Sequence, residues 1–158
     1  MRLGVLSDTH DHLPMIEKAV DLFLEQRVEA VLHAGDIVSP FAAKALARFQ
    51  GPLYAVYGNN DGEREGLQKL LPGIAAGPRM VEVGGRRILL HHDLGGCREA
   101  VIARAELVVT GHTHVPVVRR EGGRLFVNPG ECCGWLYHQP TVAILETEGP
   151  EAEIVGLE

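Results

Sequence analysis

The chain has 158 residues, 46% of them hydrophobic and 23% charged, which is a length and balance that one soluble domain with its own core can carry. Its net charge of -6, with Lys and Arg scattered in short pairs such as Arg86-Arg87 and Arg119-Arg120, argues against a nucleic-acid backbone as the main partner. No apolar run approaches the ~18 residues of a membrane span and the first residues have no leader pattern, so the expectation is a soluble cytoplasmic protein with no membrane partner.

Residues 2–7 form a short apolar run consistent with a buried strand. Residues 11–26 then place Met15, Ile16, Ala19, Val20, Phe23 and Leu24 at helical spacing, with Pro14 in the first turn. Residues 30–34 read as a second strand. Ser39 is placed to cap a helix with Pro40 at its first position and Phe41, Ala42, Ala45, Leu46 and Phe49 along it. Residues 52–57 give a third strand, and residues 62–71 a short helix closed by Pro72-Gly73. This alternation implies parallel strands joined by right-handed crossovers.

The texture then changes. Residues 79–83 and 86–90 flank Gly84-Gly85, a hairpin signature, and Gly122-Gly123 separates strands at 115–120 and 124–128 in the same way. A further helix is expected at 98–105, and strands at 106–110, 141–146 and 151–157. The whole fits an α/β protein with two packed sheets flanked by helices, in a single domain over 1–158, since no linker or composition shift marks a boundary.

Cys97, Cys132 and Cys133 make no even disulfide framework, and adjacent cysteines seldom bridge each other, which fits a reducing compartment. Without a second pair at ligand spacing, Cys132-Cys133 is not expected to hold a metal. Trp135, Leu136 and Tyr137 either form an exposed apolar patch, which would offer a route to a homo-oligomer, or pack beside a sheet edge.

Four apolar runs end in metal-ligand side chains: Asp8 and His10 after the first strand, Asp36 after the second, Asn59 after the third, and His112 and His114 after 107–110. His91 closes the run 87–90. Strand tips are where an α/β sheet builds its ligand crevice, so the repetition reads as one assembled site. Carboxylate, imidazole and amide oxygen suit Mn, Fe, Zn, Co or Ni. Seven such groups are too many for one catalytic ion, which usually keeps three protein ligands and an open position. They suit two divalent ions sharing a carboxylate, at the roughly 3.5–4 Å spacing of two-metal hydrolases.

Taken in order, Asp8-x-His10, Gly35-Asp36, Gly58-Asn59-x-Asp61, His91 and Gly111-His112-x-His114 resemble the signature of the calcineurin-like metallophosphoesterases. The length resembles the small single-domain phosphodiesterases of bacteria and archaea, and Asn128-Pro129-Gly130 resembles the Asn-Pro-Gly-Ser turn of that branch, with Glu131 in place of Ser. The resemblance implies a four-layer α-β-β-α sandwich of two mixed sheets. It also implies that Asp8, His10 and His114 hold one ion, that Asn59, His91 and His112 hold the other, and that Asp36 bridges. A metal-bridging hydroxide would then attack the phosphorus of a small phosphodiester in line with the leaving oxygen.

Two positions depart from the family pattern. Where many members carry a His that protonates the leaving group, this chain has Asn60, whose amide cannot act as an acid but can donate to a phosphoryl oxygen, with Asp61 to orient it. In His91-His92-Asp93, where His-Gly-His is usual, His92 joins Asn60 and Asp61 as a candidate catalytic residue, with shaping the pocket or supporting its neighbours favoured over direct chemistry. His12 should lie near the site but outside it, His33 should be a satisfied core histidine, and His138 has no expected role. No inserted segment is evident that would form a cap or a base-stacking pocket, which ranks a cyclic-nucleotide substrate lower. The reading from another class is a protein-binding scaffold of the same fold, like the retromer subunit, and ligand completeness speaks against it. Because Asn60 supplies no proton, kcat should depend steeply on leaving-group pKa, with aryl diesters faster than alkyl ones; a flat series of esters would sink this expectation.

Overall fold

A strand that is apolar on both faces has to be covered on both faces. β1 (Arg2–Leu6) is such a strand: Leu3 and Val5 face one way, Leu6 the other, and all three are fully buried. In the computed structural model, which describes residues 1–157, it lies at the centre of a six-stranded sheet of order β11-β10-β1-β2-β3-β4. β1 runs parallel to β2 (Ala30–His33), which is parallel to β3 (Leu53–Val56) and then β4 (Ile74–Ala75). β10 (Thr141–Glu146) and β11 (Glu151–Gly156) complete the other side as antiparallel strands.

The second sheet has the order β5-β6-β7-β9-β8. Its members are β5 (Arg79–Val83), β6 (Arg86–Leu90), β7 (Leu107–Val109), β8 (Val117–Glu121) and β9 (Arg124–Asn128). β6, β7 and β9 are parallel, while the two hairpins add β5 and β8 antiparallel. Both hairpins turn on paired glycines with positive φ, at 58° and 72° for Gly84-Gly85 and 55° and 77° for Gly122-Gly123, as a two-residue primed turn demands.

Three apolar layers hold this together. Leu3, Val5, Leu32 and Val56 of the first sheet meet Val81, Ile88, Leu90, Val109 and Val127 of the second. The opposite face of the first sheet is covered by α1 (Leu13–Glu25), α2 (Pro40–Leu46) and α3 (Arg64–Leu70), through Ile16, Val20, Phe23, Leu46 and Leu67. Leu89 and Val108 face outward beneath α4 (Glu99–Ile102). The arrangement is the expected four-layer sandwich of two mixed sheets. No helix among the described residues is long and apolar enough to cross a membrane.

Several local expectations are revised. Ser39 stands at the start of α2 but makes no capping bond; its backbone N–H and its hydroxyl both donate to Asp11 Oδ1, at 3.0 and 2.7 Å, which turns the side chain to the Asp11 loop instead of the helix N–H groups. α4 is half the predicted helix, because the N–H groups of Arg104 and Ala105 reach back only three residues and unwind its end. β8 begins after Pro116, which cannot donate to the ladder. Without any glycine to announce it, α1 closes on Arg27 at φ 55°, with Arg27 N–H to Leu24 O and Val28 N–H to Phe23 O, a Schellman stop.

His33 is the satisfied core histidine that its strand position implies. It is fully buried, its Nδ1 accepts from the Gly35 N–H at 3.1 Å, and its Nε2 therefore carries the proton and donates to Thr9 Oγ1 at 3.2 Å. Burial pushes its pKa down from 6.5 to about 4. The folded state thus resists a proton that the unfolded chain accepts, so this residue costs stability progressively as pH falls from 6.5 towards 4 and nothing above that range. Urea titrations of His33→Asn, whose Oδ1 can still accept from Gly35, should show a flatter decline of the unfolding midpoint over that window than the parent chain.

Candidate metal centre

The loops that follow β1, β2 and β3 in one sheet and β6 and β7 in the other all lie at the carboxyl ends of parallel strands, and there the ligand-type side chains meet. The first two loops are laced by backbone bonds: Asp8 N–H to Gly35 O at 3.0 Å, Thr9 and His10 N–H to Asp36 O at 3.0 and 3.1 Å. Asp61 ties in the third. Its buried carboxylate accepts from the N–H groups of Asp36 (3.0 Å), Val38 (2.7 Å) and Gly58 (2.7 Å). Asp61 is therefore a clamp on two loops, not the orienting partner of Asn60 that the sequence suggested.

Within this frame Asp8 Oδ1 lies 3.3 Å from His114 Nε2 and 3.8 Å from His10 Nε2. Asp36 Oδ2 lies 3.5 Å from His10 Nε2 on one side and 3.4 Å from His92 Nε2 on the other. Asn59 Oδ1 continues the chain, 3.0 Å from His92 Nε2 and 3.1 Å from His112 Nδ1. Asp8 and Asp36 form the buried floor, while Asn59 and His112 are exposed at the rim, so the cluster opens to solvent. Asp8 Oδ1 and His10 Nε2 are buried with no hydrogen-bond partner. Orphaned groups of this kind, with donor atoms of Asp8, His10 and His114, and of Asp8, Asp36 and His92, within 4.8 Å of one another, are what a cation site offers.

His91 does not join the cluster. Its ring lies against Gly77. Side chains alternate along β6, with Ile88 and Leu90 in the inter-sheet core and Leu89 on the helix side. Continuing that parity sends His91 outward and His92 inward. His92, expected to shape the pocket, instead stands among the ligand-type groups, with Nδ1 donating to Ala34 O at 2.8 Å and Nε2 turned to Asp36 and Asn59.

Asn60 is also differently engaged. Its backbone N–H donates to Asp36 Oδ1 and its amide to Asp36 Oδ2, both at 2.8 Å. Burial works to raise the Asp36 pKa, but the His92 imidazole and these two bonds outweigh it and hold the carboxyl well below the usual range. Asp8 is likewise lowered, with burial overcome by the neighbouring His10, Ser7, His92 and His114. His10 is raised, mainly by Asp8, and His92 is raised by Asp36 against the opposing effect of burial. In the absence of metal, protons are thus drawn to the imidazoles by two persistent anions.

Glu131, the residue that departs from the Asn-Pro-Gly-Ser pattern, is fully buried and accepts from His114 Nδ1 at 2.7 Å, Leu136 N–H at 3.0 Å and Tyr137 N–H at 2.6 Å. Burial raises its pKa, but these donors bring the net shift below the ordinary value. Nothing in the sequence pairs residues 114 and 131, so this support was not foreseen. Cys133 Sγ is near the same two groups, yet burial pushes its thiol up to about 11, and the nearby negative charge of Glu131 and Asp8 adds to that, so it stays a protonated neighbour. His12 lies outside the cluster as expected, its Nδ1 2.7 Å from Cys133 O, which asks it to donate, and 3.0 Å from Trp135 Nε1, whose N–H asks it to accept, so it serves one of the two at a time. Trp135, Leu136 and Tyr137 are more than half exposed, which settles them as a patch rather than a buried edge. A recess of about 380 Å³ between Arg2, Glu146 and Glu151 sits at the other end of β1 and contains none of these groups.

The backbone pays for this convergence. Asp8, His10, Asp36, His112 and His114 all adopt left-handed φ, between 39° and 67°. Glycine precedes three of the motifs because the side chains of the cluster and its neighbour Ser7 crowd it. A Cβ on Gly58 would lie 2.1 Å from Asp36 Oδ1, and one on Gly111 would lie 1.9 Å from Ser7 Oγ.

Residues 1–150 match the calcineurin-like phosphoesterase superfamily domain. The chain is 39% identical over 169 aligned residues to Phosphodiesterase MJ0936 of Methanocaldococcus jannaschii, covering 100% of both. A solved archaeal phosphodiesterase superposes with a TM-score of 0.86 at 38% identity, over 99% of this chain and 100% of that one. Vps29 from Entamoeba histolytica, at 20% identity, 100% coverage of both chains and a TM-score of 0.70, shares the fold. The chain belongs to the calcineurin-like phosphoesterase superfamily, whose members work with divalent metal ions. It is a hydrolase of phosphoric esters by that membership.

Gly58→Ala changes no ligand-type side chain but drives a methyl group into Asp36. Calorimetric titration with Mn²⁺ should show affinity reduced by at least about 10-fold, the range seen when ligand orientation is lost; unchanged affinity would separate the glycine from the site.

Proposed function

We propose that this protein is a dinuclear metal-dependent phosphodiesterase acting on small phosphodiesters. The observation that carries the reading is Asp36 Oδ2, held between His10 and His92 where two donor sets adjoin. We assign Asp8, His10 and His114 to one ion and Asn59, His92 and His112 to the other, with Asp36 shared; His92 replaces the His91 of the sequence-based assignment. The set of nitrogen and oxygen donors suits Mn, Ni, Zn, Fe or Co. When bound, such ions polarise a phosphoryl oxygen and make hydroxide available near neutral pH.

The remaining work falls to the chain. Ala34 O and the Glu131 carboxylate each take the Nδ1 proton of an imidazole, His92 and His114 respectively, which leaves both Nε2 lone pairs free to ligate. Asn60 keeps Asp36 ionised and fixed, so its amide is already committed and it supplies no proton to the departing ester oxygen. In-line displacement by water, with the leaving group departing as an anion, is the reaction this site suits. The similarity to relatives called phosphodiesterases over the full chain supports the diester class. Three unpaired thiols support a reducing, cytoplasmic setting. A scaffold role like that of the retromer subunit is the weaker reading, because its support is the fold alone, whereas the ligand set is complete.

The two histidines that follow β6 provide the test. In protein stripped of metal and reconstituted in turn with Mn, Ni, Zn and Mg, His92→Ala and Asp36→Ala should each cut hydrolysis of bis(p-nitrophenyl) phosphate by about 100-fold or more. His91→Ala should stay near the parent rate. Loss in His91→Ala with activity retained in His92→Ala overturns the assignment.

A further inference from the structure

Beside the cluster, His10, His114, Cys133, Trp135 and Leu136 line an open recess of about 240 Å³. Two of its walls are imidazoles assigned above to the first ion. The rings form a nearly parallel series: His10 lies 5.2 Å from His114 at 24°, and 6.4 Å from Trp135 at 23°. Trp135 and Leu136 are 55% and 64% exposed, although large apolar groups in a folded chain usually bury themselves unless they serve a surface.

The turn carrying them is held firmly. Glu131 takes the N–H groups of Leu136 and Tyr137, and the indole Nε1 lies 3.0 Å from His12 Nδ1. Gly134, at φ 67°, backs onto Pro140. The indole is therefore carried on an anchored turn while much of its surface remains available, which is the disposition of a preorganised stacking platform. The sequence offered no inserted segment for an aromatic pocket; the turn at 133–136 makes one without an insertion.

We propose that this recess is a substrate subsite that receives a planar aromatic ester group of the phosphoester, stacked on Trp135 with its phosphorus at the cluster. The proposal rests on the phosphoesterase reading and specifies its substrate class. An aromatic occupant is favoured over a second copy of the chain because the recess is lined by the ligand-type imidazoles of His10 and His114 themselves, so that a group seated on Trp135 lies beside the cluster. A flat group tied to a phosphoryl centre fills such a space, and a protein surface does not.

Trp135 is the single tryptophan of the chain, so its fluorescence reports the platform directly. Phenylphosphonate and methylphosphonate, which share the anionic head and differ in the ring, are titrated into the Mn²⁺-loaded full chain. Phenylphosphonate should quench Trp135 and bind about 10-fold tighter than methylphosphonate, in line with the value of one stacked ring. By competition against hydrolysis of bis(p-nitrophenyl) phosphate, that preference should fall to near unity in Trp135→Ala and largely persist in Trp135→Phe. Equal binding of the two phosphonates by the parent chain overturns the subsite, as does an unchanged preference in Trp135→Ala. Light scattering that shows a dimer dissociated by Trp135→Ala overturns it in favour of a second copy. Failure of the parent chain to hydrolyse the ester or bind either phosphonate, with any of the four metals, is the different outcome in which the phosphoesterase reading itself fails and the subsite with it.

Discussion

Asp8 and Asp36 are buried side by side, and the ion pairs they form are with imidazoles. Most of what surrounds them follows from that arrangement. Two adjacent carboxylates in a dry floor repel each other unless positive charge or hydrogen-bond donors meet them. Here the donors are backbone amides, the Asn60 side chain and histidine rings, each placed by a different loop. The loops in turn must come close enough to deliver them, which explains the lacing of Asp8 to Gly35 and of His10 to Asp36, and the glycines that leave no room for a Cβ.

The cost appears in the backbone. Five of the ligand-type residues sit at left-handed φ, a region that L-residues with side chains avoid, and Val38, β-branched, is at 87° beside them. Strain of this kind persists only where surrounding bonds over-determine it. Asp61 supplies much of that determination, fastening Asp36, Val38 and Gly58 through three backbone bonds. The residue that holds the loops thus contributes no ligand.

How much of this could be read from sequence depended on parity and distance. All the strands but the two-residue β4, both glycine hairpins and the carboxyl-end position of Asp8, Asp36, Asn59, His112 and His114 were legible, because each apolar run stops abruptly at a polar residue. His91 and His92 were not separable. β6 is apolar on both faces, Ile88 and Leu90 inward and Leu89 outward, so its sequence shows no alternation from which to count. Asn60 was given a partner in Asp61 by adjacency, whereas both in fact serve Asp36, 24 and 25 residues away. Glu131 looked like a substitution in a turn, and its contact with His114 exists only once β7 and β9 lie side by side.

Glu131 also has two clients. One carboxylate oxygen receives the imidazole proton of His114 while the pair of oxygens anchors the turn that presents Trp135. With an ion on His114 and a ring on the indole, as proposed above, a side chain shared in this way would link the two thermodynamically: whatever tightened His114 on its ion would steady the indole, and a ring seated on the indole would feed back equally on ion affinity. Cofactor and substrate would then report on each other's presence across a single buried carboxylate.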